Sequence, residues 1–471
     1  MNAHFITRAR QQAPIAFAAL GIALAATDAH AQSVTPAPRI TSGATTASGA
    51  KPIDLQGAIA IALQQNVSVQ QSENAVASDA AVVSSRKSAL LPSLSLSTST
   101  AQSLGRASTS SLGTSASTQS MNAGLSSSFV VFDGLRNINQ LRQARLDVNA
   151  STSDLTRTRQ TVVFTVASDY LTLATAQGLA SVQRENLTAL EAEEAQLQKL
   201  VKAGARSISD LYQQQANTES ARAGVVSAER DVELAKIAVI QTLQLDPRGT
   251  YDFVAPAIAD VSATAKHYDL DSLLSRAFAS RADLAAERTR VDASALGTKA
   301  AQASRLPTIS VSTSYNASYN SSGALTLADQ LSQNRGGSVS VGVSVPLFDR
   351  GTTTAAVQQA RLQEDNARLA LANQRQSIAL DIRRAYLTLE STRQQLTVAL
   401  AQQKAADLAV STTKARYAVG TSTLLELTQA RASQLQAATS VVNARNAMAF
   451  QDALMPYYTG ELDPTAAVLP R

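Results

Sequence analysis

Strict alternation of apolar and polar residues sets one short stretch apart from a chain whose other patterns are mostly helical. In "SVSVGVSVPLFDRG" (338–351), four valines fall on one side of an extended backbone: Val339, Val341, Val343 and Val345. Three further stretches alternate in a similar way, at 93–101, 123–132 and 308–317. The pattern predicts four strands of about ten residues, each with one apolar face and one polar face.

Two much longer segments have a helical pattern of apolar residues at steps of three and four. Each covers roughly 68 residues, the first ending at Gly204 and the second at Gly420. At 1.5 Å per residue, each helix would be about 100 Å long. Four shorter helices are predicted beside them, at 52–90, 208–245, 268–305 and 423–458. Two short helices placed end to end would match the length of one long helix.

The chain is an internal duplication with an offset of about 215 residues. Matching segments include "LPSLSLSTS" (91–99) with "LPTISVSTS" (306–314), and "AGARSISDL" (203–211) with "VGTSTLLEL" (419–427). Such self-similarity indicates repeated structural units. The predicted units are repeat 1 at 52–245 with a β-hairpin at 92–132, a linker at 246–267, repeat 2 at 268–459 with a β-hairpin at 307–348, and a tail at 460–471.

The N-terminus has the pattern of a secretory signal peptide. Arg8 and Arg10 precede an apolar run at 13–26, and "AHA" at 29–31 offers small residues for cleavage. Fourteen apolar residues are too few to span a bilayer as a helix. We therefore expect residues 1–31 to be removed on export and residues 32–51, rich in Ser, Thr, Pro and Ala, to form a flexible linker.

Composition and charge exclude several classes of function. The formal net charge is +5, and the basic residues are scattered among acids without a cluster, so we expect no nucleic-acid binding. The chain has no cysteine, and His267 is the only histidine outside the predicted leader. No base is placed to activate a serine, and no metal-ligand spacing occurs. We predict no enzyme, no catalytic residue, no cofactor and no metal site.

The four strands have two possible ways to cover their apolar faces. They could pack as a small sheet against the helices, or join strands of other chains in a closed barrel that faces lipid. Ten residues is the length that a tilted strand needs to cross a membrane. The charges between the strands, Arg106, Asp329 and Arg335, are predicted to lie in loops, and Phe132 and Phe348 occupy the same end of both hairpins as interface aromatics. These features favour the barrel.

The whole region 52–459 resembles TolC-like outer-membrane efflux proteins of Gram-negative bacteria. The resemblance rests on the duplication, on "LPSLSLS" and "LPTISVS" opening the hairpins, on "VFDG" and "LFDRG" closing them, and on "YAVGTSTLLELTQAR" (417–431). It implies a mainly α fold with a small β part. The implied assembly is a homotrimer, in which a 12-stranded transmembrane β-barrel in outer-membrane lipid, with four strands per chain, joins an α-helical periplasmic barrel.

The resemblance also implies functional residues at the two helical turns. Acidic residues three apart narrow the pore in the family, and here Glu426 holds the first position while Gln429 replaces the second acid. Asp210 and Tyr417 correspond to a latch that closes the tip, but Ser422 stands where the family has an arginine. Apart from the resemblance, the residues favour Glu426 as a charge on the first turn of a helix, where acids are stabilising. Tyr417 fits packing between helices equally well.

A periplasmic adaptor protein is expected to dock on the two turns at Gly204, Ser207, Gly420 and Thr423, which otherwise end and begin helices. The implied function is an exit duct for small molecules, fed by an inner-membrane RND or ABC transporter through that adaptor. Protein secretion by the type I route uses similar ducts and stays open as an alternative. A periplasmic coiled-coil adaptor and a flagellin-type filament are alternatives of different classes, and neither explains the charge-free strands.

Overall fold

The computed structural model describes residues 52–103, 118–254, 268–321 and 325–463. The predicted signal peptide and flexible linker lie outside these ranges, as do Arg106 and His267. Among the described residues the fold is mainly α-helical with a small β part, which confirms the predicted fold class.

Both halves of the chain have the same order of main elements. The first half contains β1 (Pro52–Ile53), α1 (Leu55–Gln65), α2 (Val67–Ser88), β2 (Ser93–Ser103), β3 (Thr118–Phe132), α3 (Arg136–Lys202), α4 (Ile208–Leu243) and β4 (Asp252–Phe253). The second contains α5 (Leu270–Ser280), α6 (Ala282–Gln302), a 3₁₀ turn (Ala303–Arg305), β5 (Thr308–Asn320), α7 (Leu327–Gln333), β6 (Arg335–Ser344), α8 (Thr352–Ala418), α9 (Leu424–Ala453) and α10 (Met455–Thr459).

The two long helices, α3 and α8, have 67 residues each, as the sequence pattern predicted. An aspartate after each β-hairpin fixes the start of the helix. Asp349 accepts hydrogen bonds from the backbone N–H groups of Gly351 (3.0 Å) and Thr353 (2.7 Å), and Asp133 accepts one from Asn137 (2.9 Å). The aspartates of the "FDG" and "FDR" motifs thus accept hydrogen bonds from backbone N–H groups that would otherwise have no partner at the start of a helix.

The helices that open each repeat are broken, which corrects the prediction of continuous helices at 52–90 and 268–305. The breaks fall at Asn66 and Arg281, 215 residues apart, and both residues have extended backbones. Asn66 accepts a hydrogen bond from Ser68 N (2.9 Å) and so starts α2. Its side-chain amide donates to the carbonyl of Thr242 (3.1 Å), and the end of α4 therefore meets the start of α2 beside α3. The predicted end-to-end arrangement is present in this half.

Each repeat has its own apolar core along its long helix. In the first, α3 buries the predicted positions Val162, Val166, Tyr170 and Leu173 against α1, α4 and β4. In the second, α8 buries Ile378, Ile382 and Leu389 against α5 and α9, with Tyr386 partly buried. The narrow apolar seams are the packing that the helical periodicity predicted.

The four long strands form one antiparallel sheet in the order β2-β3-β5-β6. Three strands exceed the predicted ten residues, with β3 reaching 15. Arg335 was expected in a loop but is the first residue of β6 and lies opposite Ala317. The last three residues of the "NRGG" stretch belong to the strand, and Gly337 pairs with Tyr315, whose ring would lie 3.3 Å from a Cβ atom at this position.

Candidate functional site

The sheet presents one apolar face and one polar face. Residues opposite each other in an antiparallel pair lie on the same face of the sheet. The strand register therefore places the apolar positions of all four strands on one continuous face. In the single chain these side chains are exposed, including Leu94 (72%), Leu96 (66%), Val339 (73%), Val341 (67%) and Val343 (63%). On the other face, serine hydroxyls pair across strands at Ser95–Ser126, Ser312–Ser340 and Ser314–Ser338.

Aromatic residues lie at the two ends of the apolar face. Phe129 and Phe132 lie toward the helices, and Tyr315 and Tyr319 lie toward the loop that carries α7. This arrangement is typical of strands that cross a bilayer, where aromatic girdles mark both interfaces. Phe132 was predicted from the sequence as an interface aromatic, whereas Tyr315 and Tyr319 were not.

Val345 was assigned to the last strand and Phe348 to the end of the same hairpin, and both lie beyond β6. β6 ends at Ser344, because Pro346 has no backbone N–H to continue the ladder. Val345 and Phe348 therefore follow the strand, with exposed fractions of 51% and 87%. Their contact with lipid stays a prediction, as it does for the three valines within β6.

The turns at the far end of the helical hairpins are built by glycine caps. Gly204 and Gly420 have φ values of +74° and +80°, the left-handed conformation that glycine adopts without strain. The chain then enters the returning helix at Ser207 or Thr423, whose side-chain oxygens accept hydrogen bonds from Ser209 N (3.1 Å) and Glu426 N (3.2 Å). The four predicted docking residues thus fix the shape of both turns.

Glu426 lies in the first turn of α9, where its carboxylate is held by the turn itself. Ser422 Oγ donates to one oxygen at 2.5 Å, and the Arg416 guanidinium lies 3.9 Å from the same oxygen. The hydrogen bond from Ser422 lowers the pKa of Glu426, slight desolvation opposes that shift, and the charge of Arg416 adds to it. Gln429 is exposed three residues further on, on the same side of the helix. The ring of three carboxylates around a pore stays a prediction.

Tyr417 and Asp210 are brought near each other without a direct bond. Burial raises the pKa of Tyr417, and the charge of Asp210 raises it further. The buried Tyr417 hydroxyl has no hydrogen-bond partner within the described part of the chain. The predicted latch between these two residues is therefore not formed in this single chain and stays a prediction for the assembly.

Arg206 makes the contact between the two turns that the sequence analysis missed. Its guanidinium lies 4.3 Å from the centroid of the Tyr417 ring and donates a hydrogen bond to the Tyr417 carbonyl oxygen. In the duplication, Arg206 occupies the position equivalent to Ser422. The second turn lacks the arginine that the family has, but the first turn has one at the equivalent position. Alignment of the two repeats could have identified Arg206 as a candidate for this contact.

No group of three or more His, Cys, Asp or Glu residues in the described ranges could hold a metal ion. Among the helices that the structure describes, none combines the length and the apolar character that crossing a membrane requires.

A sheet with an exposed apolar face, joined to two long helical hairpins, indicates a membrane-associated protein. The family model described as "Outer membrane efflux protein" matches residues 58–243 and 273–453. The chain therefore belongs to the outer membrane efflux protein family, and its place is the outer membrane with an extension into the periplasm.

Individual relatives agree with this assignment. The chain is 24% identical over 304 residues to the outer membrane efflux protein BepC of Brucella suis biovar 1 (strain 1330), an alignment that covers 64% of each protein. Its fold is similar to that of CusC, with a TM-score of 0.77, 17% identity and coverage of 89% of this chain and 95% of CusC. It is also similar to the MtrE outer membrane channel of Neisseria gonorrhoeae, with a TM-score of 0.72, 22% identity and coverage of 89% and 92%.

Proposed function

We propose that this chain forms the outer-membrane exit duct of a tripartite export system and conducts small molecules to the exterior. The observation that carries the proposal is the four-stranded sheet, whose apolar face is exposed and whose outer strands β2 and β6 each pair on one side only among the described residues. Open edges and an uncovered apolar face are unfavourable in an isolated chain. Three chains would close a barrel of twelve strands and leave no edge.

The helical end supports docking of a partner protein. Exposed apolar side chains surround both turns, namely Ile208 (55%), Tyr212 (63%), Val419 (76%) and Leu425 (67%). A periplasmic adaptor with apolar hairpin ends would cover them and connect the duct to an RND or ABC transporter in the inner membrane. Family membership argues against the adaptor and filament alternatives for this chain and against an enzyme. Type I protein secretion remains the second candidate for the cargo.

Single-channel recording in a planar bilayer tests this function. We expect the purified mature protein to give small currents that prefer cations, because three ionised Glu426 carboxylates would line one constriction. Glu426→Gln should remove the preference while leaving insertion unchanged. Glu219→Gln, an exposed change on α4, is the matched control and should retain it. Absence of any current would contradict the duct, and unchanged selectivity in Glu426→Gln would restrict Glu426 to its capping role.

A further inference from the structure

The outer end of β6 holds the one charged residue of the four long strands. Arg335 lies on the apolar face, opposite Ala317 of β5, and the residues two positions to either side of Ala317 are Tyr315 and Tyr319. Diagonal neighbours in an antiparallel pair are about 7–8 Å apart, a distance that long and aromatic side chains can bridge. The Arg335 guanidinium is therefore within reach of two tyrosine side chains.

Small residues separate these three side chains. Gly337, the next residue of β6 on the same face, lies opposite Tyr315, and Ala317 lies opposite Arg335 itself. Arg335 is exposed in the single chain, and Tyr315 is 49% exposed. One guanidinium and two phenol hydroxyls, all of which can donate hydrogen bonds, thus border an open surface that holds no bulky side chain between them.

The apolar face holds no carboxylate that could neutralise Arg335. Within 93–132 and 308–348 the chain has a single acid, Asp329, which lies in α7 and not in a strand. Its carboxylate accepts a hydrogen bond from the Thr326 hydroxyl (2.6 Å) at the start of that helix. A positive charge without an acidic neighbour on its own face favours a negatively charged group from outside the sheet.

Depth places these side chains at the level of lipid headgroups. Tyrosine rings concentrate at membrane–water interfaces, and the row of Tyr319 is at the end of the sheet away from the long helices, which in the outer membrane is the outer leaflet. Arginine binds phosphate oxygens through two parallel N–H···O hydrogen bonds. Val339 and Val341 continue the same face toward the helices, where the acyl chains of a lipid would lie.

The duplication shows that this set of residues is specific to the second hairpin. Gln119 of β3 is equivalent to Arg335, and Thr100 of β2 is equivalent to Tyr315. Both equivalents are uncharged, and neither is aromatic. The first hairpin therefore has the same backbone arrangement without the donors that would bind a phosphate group.

We propose that Arg335, Tyr315 and Tyr319 form a binding site for the phosphate group of a phosphorylated lipid in the outer leaflet, with one site per chain. This inference rests on the lipid-facing barrel of the proposed function. Because β6 is an outer strand of the sheet, the site lies beside the seam between neighbouring chains of the proposed trimer. A lipid held there would cover the outer end of that seam.

Native mass spectrometry of the delipidated protein in detergent tests the site, with bisphosphorylated lipid A as the probe. We expect Arg335→Gln, which introduces the residue found in the first hairpin, to weaken binding about 5-fold or more, because one arginine at an anionic membrane surface contributes about that factor. Lipid A without its phosphates should bind the unsubstituted protein as weakly. Arg350→Gln removes an exposed charge just beyond the opposite end of β6, and this matched control should bind like the unsubstituted protein.

A second variant keeps the test decisive if Arg335→Gln does not assemble. Arg335→Lys retains the charge without the planar fork and should weaken binding less than Arg335→Gln. Equal binding by Arg335→Gln and the unsubstituted protein would overturn the site, as would an equal loss in Arg350→Gln or displacement of lipid A by an equal concentration of inorganic phosphate. Lipid binding without any channel current would refute the duct and leave the site in place, whereas current without lipid binding would refute the site alone.

Discussion

Val339→Arg should prevent stable assembly of the protein in the outer membrane. Val339 is 73% exposed on the apolar face and lies between the row of Phe132 and the row of Tyr319, near the middle of the proposed membrane-spanning band. An arginine on the lipid face at the bilayer midplane costs about 2–4 kcal/mol per chain, and the proposed trimer would incur this cost three times. The yield of folded trimer in purified outer membranes measures the effect.

Ser340→Arg is the matched control for that experiment. Ser340 is the next residue of β6, on the polar face, where its hydroxyl lies 2.7 Å from that of Ser312. Because this face would line the lumen of the proposed barrel, an arginine there should allow assembly and change only the current. Normal assembly of Val339→Arg, or equal failure of both variants, would contradict the assignment of the valine face to lipid.

Arg335 shows why a charge in a strand is compatible with this arrangement. It shares the apolar face with Val339 but lies at the outer end of β6, opposite Ala317 and close to the row of Tyr319. A long basic side chain at that depth reaches the aqueous interface while its methylene groups stay in apolar surroundings. The free-energy cost of a charged side chain on this face depends on its depth in the membrane. That depth follows from the strand register, which the sequence alone does not determine.

The long helices were predictable because local signals determine them. The seam around Val166 and Ile382 repeats with helical period, and left-handed glycines at 204 and 420 mark where each helix stops. The break at Asn66 has only the local signal of an asparagine that caps α2, and the break at Arg281 has no proline, glycine or capping side chain. Those breaks depend on contacts with distant residues, Thr242 in one repeat and the C-terminal segment in the other.

The turn residues were recognised, while the contact between the turns was not. Thr423 followed by Glu426 is a capping sequence that can be read from local spacing. Arg206 meets Tyr417 across 211 positions of sequence, so the contact exists only once both hairpins are folded. The sequence signal for this contact lies in the duplication, in which Arg206 of the first repeat is equivalent to Ser422 of the second.

Asp283→Ala should produce a large loss of stability in the helical region. Asp283 accepts hydrogen bonds from Arg281 Nε (3.0 Å) and Nη2 (2.5 Å), and the Arg281 side chain is only 4% exposed. Removing one partner of a buried ion pair costs about 3–5 kcal/mol, because the remaining charge keeps its desolvation penalty. The carboxylate of Asp381 lies 3.9 Å from Arg281 Nη1, too far to replace those bonds. The midpoint of thermal unfolding of the purified protein in detergent measures the loss.

Two further variants test whether the loss of stability comes from a buried charge left without its partner. Glu229→Gln breaks the exposed Arg184–Glu229 pair and should cost less than about 1 kcal/mol. Arg281→Met combined with Asp283→Leu removes both charges of the pair and should recover part of the stability that Asp283→Ala loses. Recovery stays incomplete because Arg157, which lies 3.8 Å from Asp283 and is 14% exposed, keeps its charge. A double variant as unstable as the single one would show that the shape of the side chains, rather than an unpaired charge, determines the effect.

The pH dependence gives an independent measure of the same ion pair. Burial raises the pKa of Asp283, but the hydrogen bonds and charge of Arg281, together with the charge of Arg157, outweigh it and leave the pKa below its ordinary value. A carboxylate with a lowered pKa stabilises the folded state above its unfolded pKa of about 3.9, and this contribution disappears as pH falls through the folded value. The difference in unfolding midpoint between the unsubstituted protein and Asp283→Ala should therefore be constant near neutral pH and shrink below about pH 4. A difference that stays constant through that range would mean that the carboxylate stabilises the fold by packing and not by its charge.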